Sequence, residues 1–351
     1  MSNYSFISKI LHRQILNNKE ILNLFLEKIN KKACLNDKDQ NQNIFITGLA
    51  RAGTTALLQS LDSTNIFGSL RYKYMPFILS PKLASTFSKF SNRNSSKKIE
   101  RIHKDGILIG SNSPECLDEV YWINTASNKF IVSSELKPSK ISKDELKGFS
   151  YLINKYLEIE NKSRFLIKNN NSHLRIIELS RFFHDSFFLV MFREPISHAN
   201  SLLKLHKNLL EIHKKDKFVL EYMNLIGHWE FGENKKPFIY KEYQRDILFN
   251  LNAETIEYWL YQWIFTYEWI LDIFKKNRIH LKNIKLVCYE ELCKDSNYKK
   301  DLFKSINIPE NIDNFKFEIG KSDDFSQNLS KILIDKSKYI YKNLKDISVN
   351  F

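Results

Sequence analysis

The sequence predicts an α/β fold in which a central parallel sheet lies between two layers of helices. Short apolar runs of strand length recur along the chain, and segments with helical periodicity separate them. Parallel strands need a crossover connection, usually a helix, so this alternation indicates a parallel sheet. The near-continuous apolar run Phe187–Phe192 is typical of a central strand covered on both faces. The predicted strands are Ile44–Thr47, Arg164–Lys168, Phe187–Phe192 and 284–289.

The order of these segments predicts one principal domain. Residues 1–43 are predicted to form an amphipathic helix and a polar linker, and residues 44–351 a single α/β domain. A helical and loop insert is expected around residues 82–160, because residues 82–106 are rich in Ser, Lys, Asn and Arg. The 351 residues are enough to bury a large core.

The composition indicates a globular protein with a basic surface. Hydrophobic residues make up 43% of the chain and charged residues 27%, and the formal net charge is +14. The lysines are spread along the chain, which argues against a dedicated nucleic-acid site. The four cysteines form no C-x-x-C pair, which indicates reduced thiols and a cytoplasmic location. The longest apolar run has only strand length, so no transmembrane segment is predicted.

A glycine-bracketed turn joins the first predicted strand to a helix. Gly48 and Gly53 permit positive φ angles, and the free N–H groups at the start of a helix attract anions. The stretch resembles a Walker A loop in which Thr54 replaces the lysine, while the cation lies inside the loop as Arg51. The alternative is a tight turn with a solvated arginine. The predicted anion contacts are Gly48, Arg51, Ala52, Gly53, Thr54 and Thr55.

A second candidate phosphate site follows the strand Phe187–Phe192. Arg193 stands at the carboxyl end of this strand, where α/β sheets bind ligands, and Ser201 lies eight residues further on in a predicted helix. A guanidinium offers a planar, permanently charged fork for phosphate oxygens, and a hydroxyl adds a neutral hydrogen-bond donor. The alternative is a strand-end arginine in a surface salt bridge.

A group of acids follows Pro114. Ser113 has the residue type of a helix N-cap and Pro114 suits the first turn, so a helix is predicted to begin here. Glu115, Asp118 and Glu119 would then lie on adjacent turns. The alternative is a solvated acidic helix face in which the acids favour the helix dipole.

Two aromatic segments lie in the second half of the chain. Aromatic residues follow one side of the predicted helix 255–275, where core packing is favoured over a ligand platform. Residues 227–232 contain Trp229 between two glycines, which fits either a sugar-binding aromatic or a packed turn.

The two phosphate elements together resemble those of sulfotransferases that use 3′-phosphoadenosine 5′-phosphosulfate (PAPS). The loop around Arg51 is similar to the 5′-phosphosulfate loop of that family, and the stretch from Arg193 to Ser201 is similar to its 3′-phosphate segment. Residues 287–292 are similar to a strand-ending segment that supports the loop there. The resemblance implies a three-layer P-loop-like fold and PAPS as co-substrate. It also makes Lys321 a candidate for the family's basic loop over the nucleotide.

The resemblance further implies transfer of a sulfuryl group to an acceptor hydroxyl, with a carbohydrate as the favoured acceptor and no metal ion. Arg51 is expected to stabilise negative charge on the leaving phosphate. Glu115 and Glu119 are predicted as candidates for the general base, because related enzymes line the acceptor cleft with a similar acidic segment. The alternative bases are His103, His173 and His228.

Two other classes of function stay open at this point. A P-loop kinase or nucleotide hydrolase would need magnesium and a triphosphate, and Thr54 in place of the Walker lysine argues against it. A basic nucleic-acid-binding protein would leave the two phosphate elements unexplained, and no helix-turn-helix, RNA-recognition or zinc pattern supports that function.

Overall fold

The central sheet consists of five parallel strands. The computed structural model describes residues 6–34, 42–91, 99–100, 108–277, 282–309, 315, 317–318 and 329–348. The strands in this part of the chain are β1 (Ile44–Thr47), β2 (Phe67–Gly68), β3 (Ile99–Glu100), β4 (Leu108–Ile109), β5 (Ile131–Val132), β6 (Glu135–Leu136), β7 (Arg164–Lys168), β8 (Phe187–Phe192) and β9 (Ile284–Cys288). The sheet has the order β2-β7-β1-β8-β9, while β3–β4 and β5–β6 form separate antiparallel pairs. The predicted α/β fold is therefore confirmed.

The helices surround this sheet and fill the connections between its strands. In the described part of the chain, no helix has an apolar stretch long enough to cross a bilayer. Two short 3-10 segments cover Tyr72–Tyr74 and Asn170–Arg175. The α-helices are α1 (Phe6–Leu16), α2 (Lys19–Ala33), α3 (Thr54–Ser63), α4 (Pro81–Ser91), α5 (Glu119–Thr125), α6 (Ser127–Phe130), α7 (Lys143–Glu160), α8 (Ile176–Phe182), α9 (Pro195–Lys215), α10 (Lys217–Leu225), α11 (Glu242–Asn250), α12 (Ile256–Asn277), α13 (Tyr289–Lys294), α14 (Ser296–Ser305) and α15 (Lys331–Ser348).

Strand β1 occupies the centre of the sheet because it is apolar on both faces. Ile44 and Ile46 are fully buried, and the Phe45 side chain is only 2% exposed. Phe45 pairs in register with Phe188 of β8, and the two rings stack with their centroids 4.5 Å apart. Burying each such side chain contributes on the order of 2 kcal/mol. The loop that follows β1 is thus attached to the buried centre of the sheet.

The N-terminal region contains two helices where the sequence predicts one. Asn18 interrupts the helical stretch, and its side-chain oxygen accepts hydrogen bonds from the N–H groups of Glu20 and Ile21 at the start of α2. Asparagine favours this N-cap position over a helix interior. Helix α2 packs against α7 and buries Phe25 and Ile29 in the main core.

The helix predicted to begin at Ser113 begins instead at Glu119. Residues 113–115 form an extended segment beside residues 70–72, since the N–H of Glu115 donates to the carbonyl of Leu70 and the carbonyl of Ser113 accepts from Tyr72. The Ser113 hydroxyl accepts from the N–H of Gly110 and does not cap a helix. Pairing with a distant segment therefore overrides the local capping signal.

Candidate functional site

The loop 48–53 connects β1 to α3 in a tight conformation. Gly48 has a φ of +123°, and a Cβ atom there would lie 2.3 Å from the carbonyl oxygen of Met191 in β8. Gly53 has a φ of +87°, and a Cβ atom there would meet the ring of Tyr289 at 2.2 Å. Both positions require glycine for conformation and for space. Helix α3 starts directly after Gly53, and no side chain of the described residues caps it.

Two buried side chains hold the backbone of this loop in place. His198 in the first turn of α9 donates from Nε2 to the carbonyl of Ala50 at 2.7 Å. Burial, with a smaller effect of the nearby Arg193 and Arg51, lowers the pKa of His198 to about 3, so the imidazole is neutral. The Tyr267 hydroxyl of α12 donates to the Met191 carbonyl of β8 at 2.8 Å and also bonds the backbone of Leu49 in the loop. The aromatic side of α12 thus packs in the core and also supports the loop.

The structure brings the loop cation into contact with the helix after β8. Arg51 Nε donates to Ser201 Oγ at 3.1 Å, although 150 residues separate the two in sequence. Arg51 has a φ of +69°, which is uncommon for a residue with a side chain. Both side chains are half-buried, so an anion can reach them from solvent. Two of the predicted phosphate-binding residues therefore share one site.

Arg193 lies at the end of β8 beside a carboxylate. Its Nε is 3.8 Å from Glu290 Oε1, which is too long for a hydrogen bond. This Nε is buried and has no hydrogen-bond partner among the described residues. Glu290 is itself fixed, because Oε1 accepts from the N–H of Glu194 at 3.1 Å and Oε2 accepts from the Tyr341 hydroxyl at 3.0 Å. Segment 287–292 therefore supports both the loop, through Tyr289, and Arg193.

Asn170 connects the start of α3 to the other side of the site. Its Oδ1 accepts from Thr54 Oγ1 at 3.5 Å, its carbonyl accepts from Thr47 Oγ1 at 3.2 Å, and its Nδ2 donates to Glu230 Oε1 at 3.5 Å. The two side-chain distances are at the long end of the hydrogen-bond range. Ala52, Thr54 and Thr55 are buried beneath the loop.

The two glutamates predicted as bases are held by cations. Glu115 accepts from Lys168 Nζ at 3.2 Å and from the Tyr72 hydroxyl at 3.1 Å. Glu119 is fully buried and forms an ion pair with Arg175, which is equally buried. Pairing with buried cations favours a role for both glutamates in supporting the site.

The remaining predicted residues are distributed as follows. His173 is buried between the Asn170 carbonyl and the Tyr240 hydroxyl, each 2.6 Å away, and burial lowers its pKa to about 4. His228 Nε2 donates to the Cys116 carbonyl at 3.2 Å. His103 and Lys321 lie outside the described residues. Within those residues, no three His, Cys, Asp or Glu side chains are grouped so as to hold a metal ion.

A small cavity with room for about one water molecule adjoins the loop. Its walls come from the loop itself, from α9 and α12, and from the segment between α10 and α11. The only charged side chains among its lining residues are Glu230 and Lys236, and most of the others are apolar or aromatic. The lining residues are Leu49, Ala50, Leu202, Glu230, Phe231, Lys236, Phe238, Tyr258, Trp259 and Gln262.

Three residues of this site were not identified from the sequence. Asn170 lies in a run of three asparagines, and only its position after a predicted strand distinguishes that run. His198 precedes Ser201 by three residues, so both face one side of the same helix. Glu230 lies within the segment 227–232, where the sequence analysis considered the aromatic residue alone.

Comparison with known proteins identifies the family. A model of the sulfotransferase family, Sulfotransfer_3, matches residues 43–235, which is more than half of the chain and includes the loop, Arg193 and Ser201. No curated protein sequence matches the chain.

Two solved structures show a distant likeness. Sulfotransferase STF9 from Mycobacterium avium is 12% identical, with 93% of this chain and 75% of that chain covered and a TM-score of 0.44. Sulfotransferase STF1 from Mycobacterium tuberculosis is 10% identical, with 94% and 85% covered and a TM-score of 0.48. The match to the family model, which extends over most of the site, shows that the chain belongs to the sulfotransferase family.

Proposed function

We propose that the protein transfers a sulfuryl group from PAPS to a hydroxyl group of an acceptor, with a carbohydrate as the favoured acceptor class. The observation that carries this proposal is the hydrogen bond between Arg51 and Ser201. This bond connects the loop before α3 to the segment that runs from Arg193 to Ser201. A nucleotide with phosphates on both its 5′ and 3′ positions would need both of these elements.

A cytoplasmic location, supported by four free cysteines in the described chain, is part of the same proposal.

The chemistry of the side chains fits a bisphosphate nucleotide. Arg193 Nε is buried without a hydrogen-bond partner in the described part of the chain, and a 3′-phosphate would supply one. The loop offers backbone N–H groups at the start of α3 together with the Arg51 guanidinium for the 5′-phosphosulfate. Thr54 leaves the loop without the lysine that contacts the β- and γ-phosphates in a Walker A loop.

The same groups would assist the transfer step. As the bond between sulfur and the bridging oxygen breaks, negative charge develops on the leaving phosphate. The backbone next to Arg51 is held before the reaction by His198, which bonds the Ala50 carbonyl, and by Tyr267, which bonds the Leu49 backbone. Such preorganised groups stabilise developing charge without further rearrangement, and one of them is typically worth 10²–10³-fold in rate.

Replacement of Arg193 by alanine tests the nucleotide assignment. Isothermal titration calorimetry would compare 3′-phosphoadenosine 5′-phosphate (PAP) with adenosine 5′-phosphate. We expect Arg193→Ala to weaken PAP binding by at least about 30-fold, since a charged hydrogen bond contributes about 2 kcal/mol or more. Binding of adenosine 5′-phosphate should change by less than about threefold, because it lacks the 3′-phosphate.

A matched control is Arg181→Ala, which removes an exposed arginine from α8. It should leave both affinities unchanged. Equal losses for the two nucleotides in Arg193→Ala would contradict the 3′-phosphate site. Tighter binding of ATP with magnesium than of PAP by the unmodified protein would favour a kinase or nucleotide hydrolase.

The acceptor class can be tested directly with radiolabelled PAPS. The protein would be incubated with separate carbohydrate, lipid and peptide fractions from its host, and the transfer of label measured. We expect the carbohydrate fraction to take the label, because Trp229 in the segment 227–232 is partly exposed and could pack against a sugar ring. Labelling confined to lipid or peptide would contradict the carbohydrate assignment and leave the sulfuryl-transfer proposal standing.

A further inference from the structure

Helix α1 is attached to the rest of the protein along one side. Leu16 is buried on this side, and Arg13 forms an ion pair with Glu221 of α10 at 2.7 Å. Lys9 and Arg13 both lie over the ring of Phe218, 5.0 and 5.4 Å from its centroid. These contacts fix the rotation of α1 about its own axis.

The opposite side of α1 is exposed and apolar. Phe6 is 76% exposed, Ile7 is 78% exposed and Ile10 is 40% exposed. Ile10 follows Phe6 by four residues and Ile7 by three, so the three side chains are neighbours on one face of the helix. We call these three residues the α1 apolar patch. Single exposed apolar residues are ordinary on a protein surface, whereas a contiguous group of them is typical of a binding surface.

The size of the α1 apolar patch favours a lipid surface over a second protein molecule. Three side chains of this kind expose roughly 400 Å² together. A stable contact between two proteins needs about 800 Å² from each partner, so the patch is too small to hold a second copy of the chain by itself. A bilayer sets no such minimum, because each inserted side chain leaves water on its own account.

Exposed lysines lie close to the attached side of α1. Lys9 is 4.0 Å from Asp216, which separates α9 from α10. Lys214 and Lys215 directly precede this aspartate and Lys217 follows it, and all three lysines are exposed. The positive end of α9 therefore lies next to the helix that carries the patch.

The ion pairs of this region leave a net positive charge. The acids Asp216, Glu221 and Glu233 are matched by Lys9, Arg13 and Lys217 respectively. Lys214 and Lys215 form no ion pair with any acid in the described part of the chain. The whole chain carries a formal net charge of +14 in addition. Apolar side chains next to uncompensated lysines are the combination that binds membranes with anionic lipids.

We propose that the α1 apolar patch inserts into the surface of a membrane that contains anionic lipids, while Lys214 and Lys215 contact the lipid phosphates. Helix α1 keeps its contacts with α10 in this arrangement, because only its outer side enters the lipid. The proposal is independent of the sulfuryl transfer proposed above. It is compatible with a cytoplasmic location, since the cytoplasmic leaflet carries anionic lipids.

Vesicle sedimentation with the full chain tests the choice of partner. One set of vesicles contains phosphatidylcholine alone, and the other contains equal parts of phosphatidylcholine and phosphatidylglycerol. We expect the protein to bind the anionic vesicles at least about tenfold more strongly than the neutral ones, because each lysine near an anionic surface adds to binding.

The double variant Phe6→Ser/Ile7→Ser tests the patch. Both side chains are largely exposed, so the thermal unfolding midpoint should not change. Binding to the anionic vesicles should weaken by at least about tenfold, since two side chains lose their transfer from water to lipid. The matched control is Phe249→Ser/Ile332→Ser, which removes the same two residue types at exposed positions of α11 and α15. It should bind within about twofold of the unmodified protein.

The double variant Lys214→Gln/Lys215→Gln tests the charge. We expect binding to the anionic vesicles to weaken by about fivefold or more, with no change for the neutral vesicles. Lys338→Gln/Lys342→Gln removes the same charge from exposed positions of α15 and is the matched control. It should change binding by less than about twofold.

Unchanged vesicle binding in Phe6→Ser/Ile7→Ser would overturn the proposal, as would equal losses in this variant and its control. Unmodified protein that does not bind the anionic vesicles would overturn it as well. Sedimentation equilibrium covers the remaining partner, because a dimer that becomes monomeric in Phe6→Ser/Ile7→Ser would assign the patch to a second copy of the chain. PAP affinity in solution should be the same in all these proteins, so a failure of the nucleotide proposal would not affect this test.

Discussion

Three backbone positions of the anion loop, Gly48, Arg51 and Gly53, have positive φ angles. Such angles cost a residue with a side chain on the order of 1 kcal/mol, and they persist only where the surroundings hold them. Here a buried histidine and a buried tyrosine hold the backbone around them. With this backbone conformation, the Arg51 side chain reaches Ser201 of the proposed 3′-phosphate segment.

Replacement of Gly53 by alanine should disrupt this loop. The added methyl group would meet the Tyr289 ring at 2.2 Å and would also occupy a left-handed backbone position. We expect a loss of about 2–4 kcal/mol in the free energy of unfolding and at least a tenfold loss of PAP affinity. Urea denaturation and calorimetry would measure the two effects.

Gly68→Ala is the matched control for that experiment. Gly68 has no positive φ angle, and the nearest atom to its added Cβ would be the end of the Leu157 side chain at 3.2 Å. We expect PAP affinity within twofold of the unmodified protein. If Gly53→Ala also kept its affinity, the loop conformation would not determine nucleotide binding.

At the scale of single residues, the sequence predicted those candidate site residues that have a distinctive type and spacing. Gly48, Gly53, Arg193 and Ser201 belong to two local patterns that a reader of the sequence can recognise. Asn170 and Glu230 could not be found in this way, because their contacts join segments 60 and 116 residues apart. Only the folded chain brings such residues together.

At the scale of elements, helix α15 is connected to the proposed nucleotide site. It packs against β9, and its Tyr341 hydroxyl donates to Glu290 Oε2 at 3.0 Å. Glu290 in turn lies beside Arg193. Helix α15 therefore reaches the proposed 3′-phosphate site through one intervening carboxylate, although it follows that site by more than 130 residues in sequence.

Replacement of Tyr341 by phenylalanine should loosen this connection. The variant removes one hydrogen bond to Glu290, which is worth about 1 kcal/mol, and leaves the ring packing in place. We expect PAP to bind about threefold to fivefold more weakly in calorimetry, with little change for adenosine 5′-phosphate. Tyr339→Phe on the same helix is the control, since Tyr339 is 65% exposed. Equal effects of the two variants would contradict the connection.

Four strands of the sheet were predicted from their apolar runs, because burial on both faces leaves little room for polar residues. Strand β2 was missed, since it contains only two residues and pairs at the edge with β7. The two wrongly predicted helix boundaries have different causes: Asn18 caps α2 and so divides the predicted helix, whereas residues 113–115 pair with residues 70–72 and no helix begins at Ser113. Serine and asparagine cap helices, but whether they do so depends on which distant segment competes for the backbone.

At the scale of the whole molecule, a buried charged cluster connects the sheet to the helical insert. Asp118 and Glu119 lie at the start of α5, and both accept hydrogen bonds from Asn169 Nδ2. Arg175 is buried between the rings of Trp122 and Phe130 and pairs with Glu119. Burial, followed by the neighbouring Glu119, raises the pKa of Asp118 to about 6 from an ordinary value of 3.8.

The raised pKa makes stability depend on pH. Below about pH 4 the carboxyl is protonated in both states, and its full contribution to stability is present. That contribution is lost as the pH rises toward and through 6, because the unfolded chain ionises more readily than the folded one. We expect Asp118→Asn to abolish this loss, since asparagine keeps an acceptor oxygen for the Trp122 Nε1 hydrogen bond.

Chemical denaturation at pH 5 and pH 7.5 would measure the effect. The gain in the free energy of unfolding from Asp118→Asn should be about 1 kcal/mol larger at the higher pH. Asp301→Asn, at an exposed position on α14, should show no such difference. A gain that does not depend on pH would show that ionisation of Asp118 is not its source.

Strand β8 packs against Gly48 through the Met191 carbonyl and carries Arg193 two residues later. A single rigid segment thus sets the separation of the two proposed phosphate sites. On the function proposed above, a nucleotide phosphorylated at both the 5′ and the 3′ positions of its ribose would contact both sites, whereas the single phosphate chain of ATP would contact only one. Discrimination against the abundant triphosphates of the cell would then follow from the sheet geometry itself, without any residue that repels them.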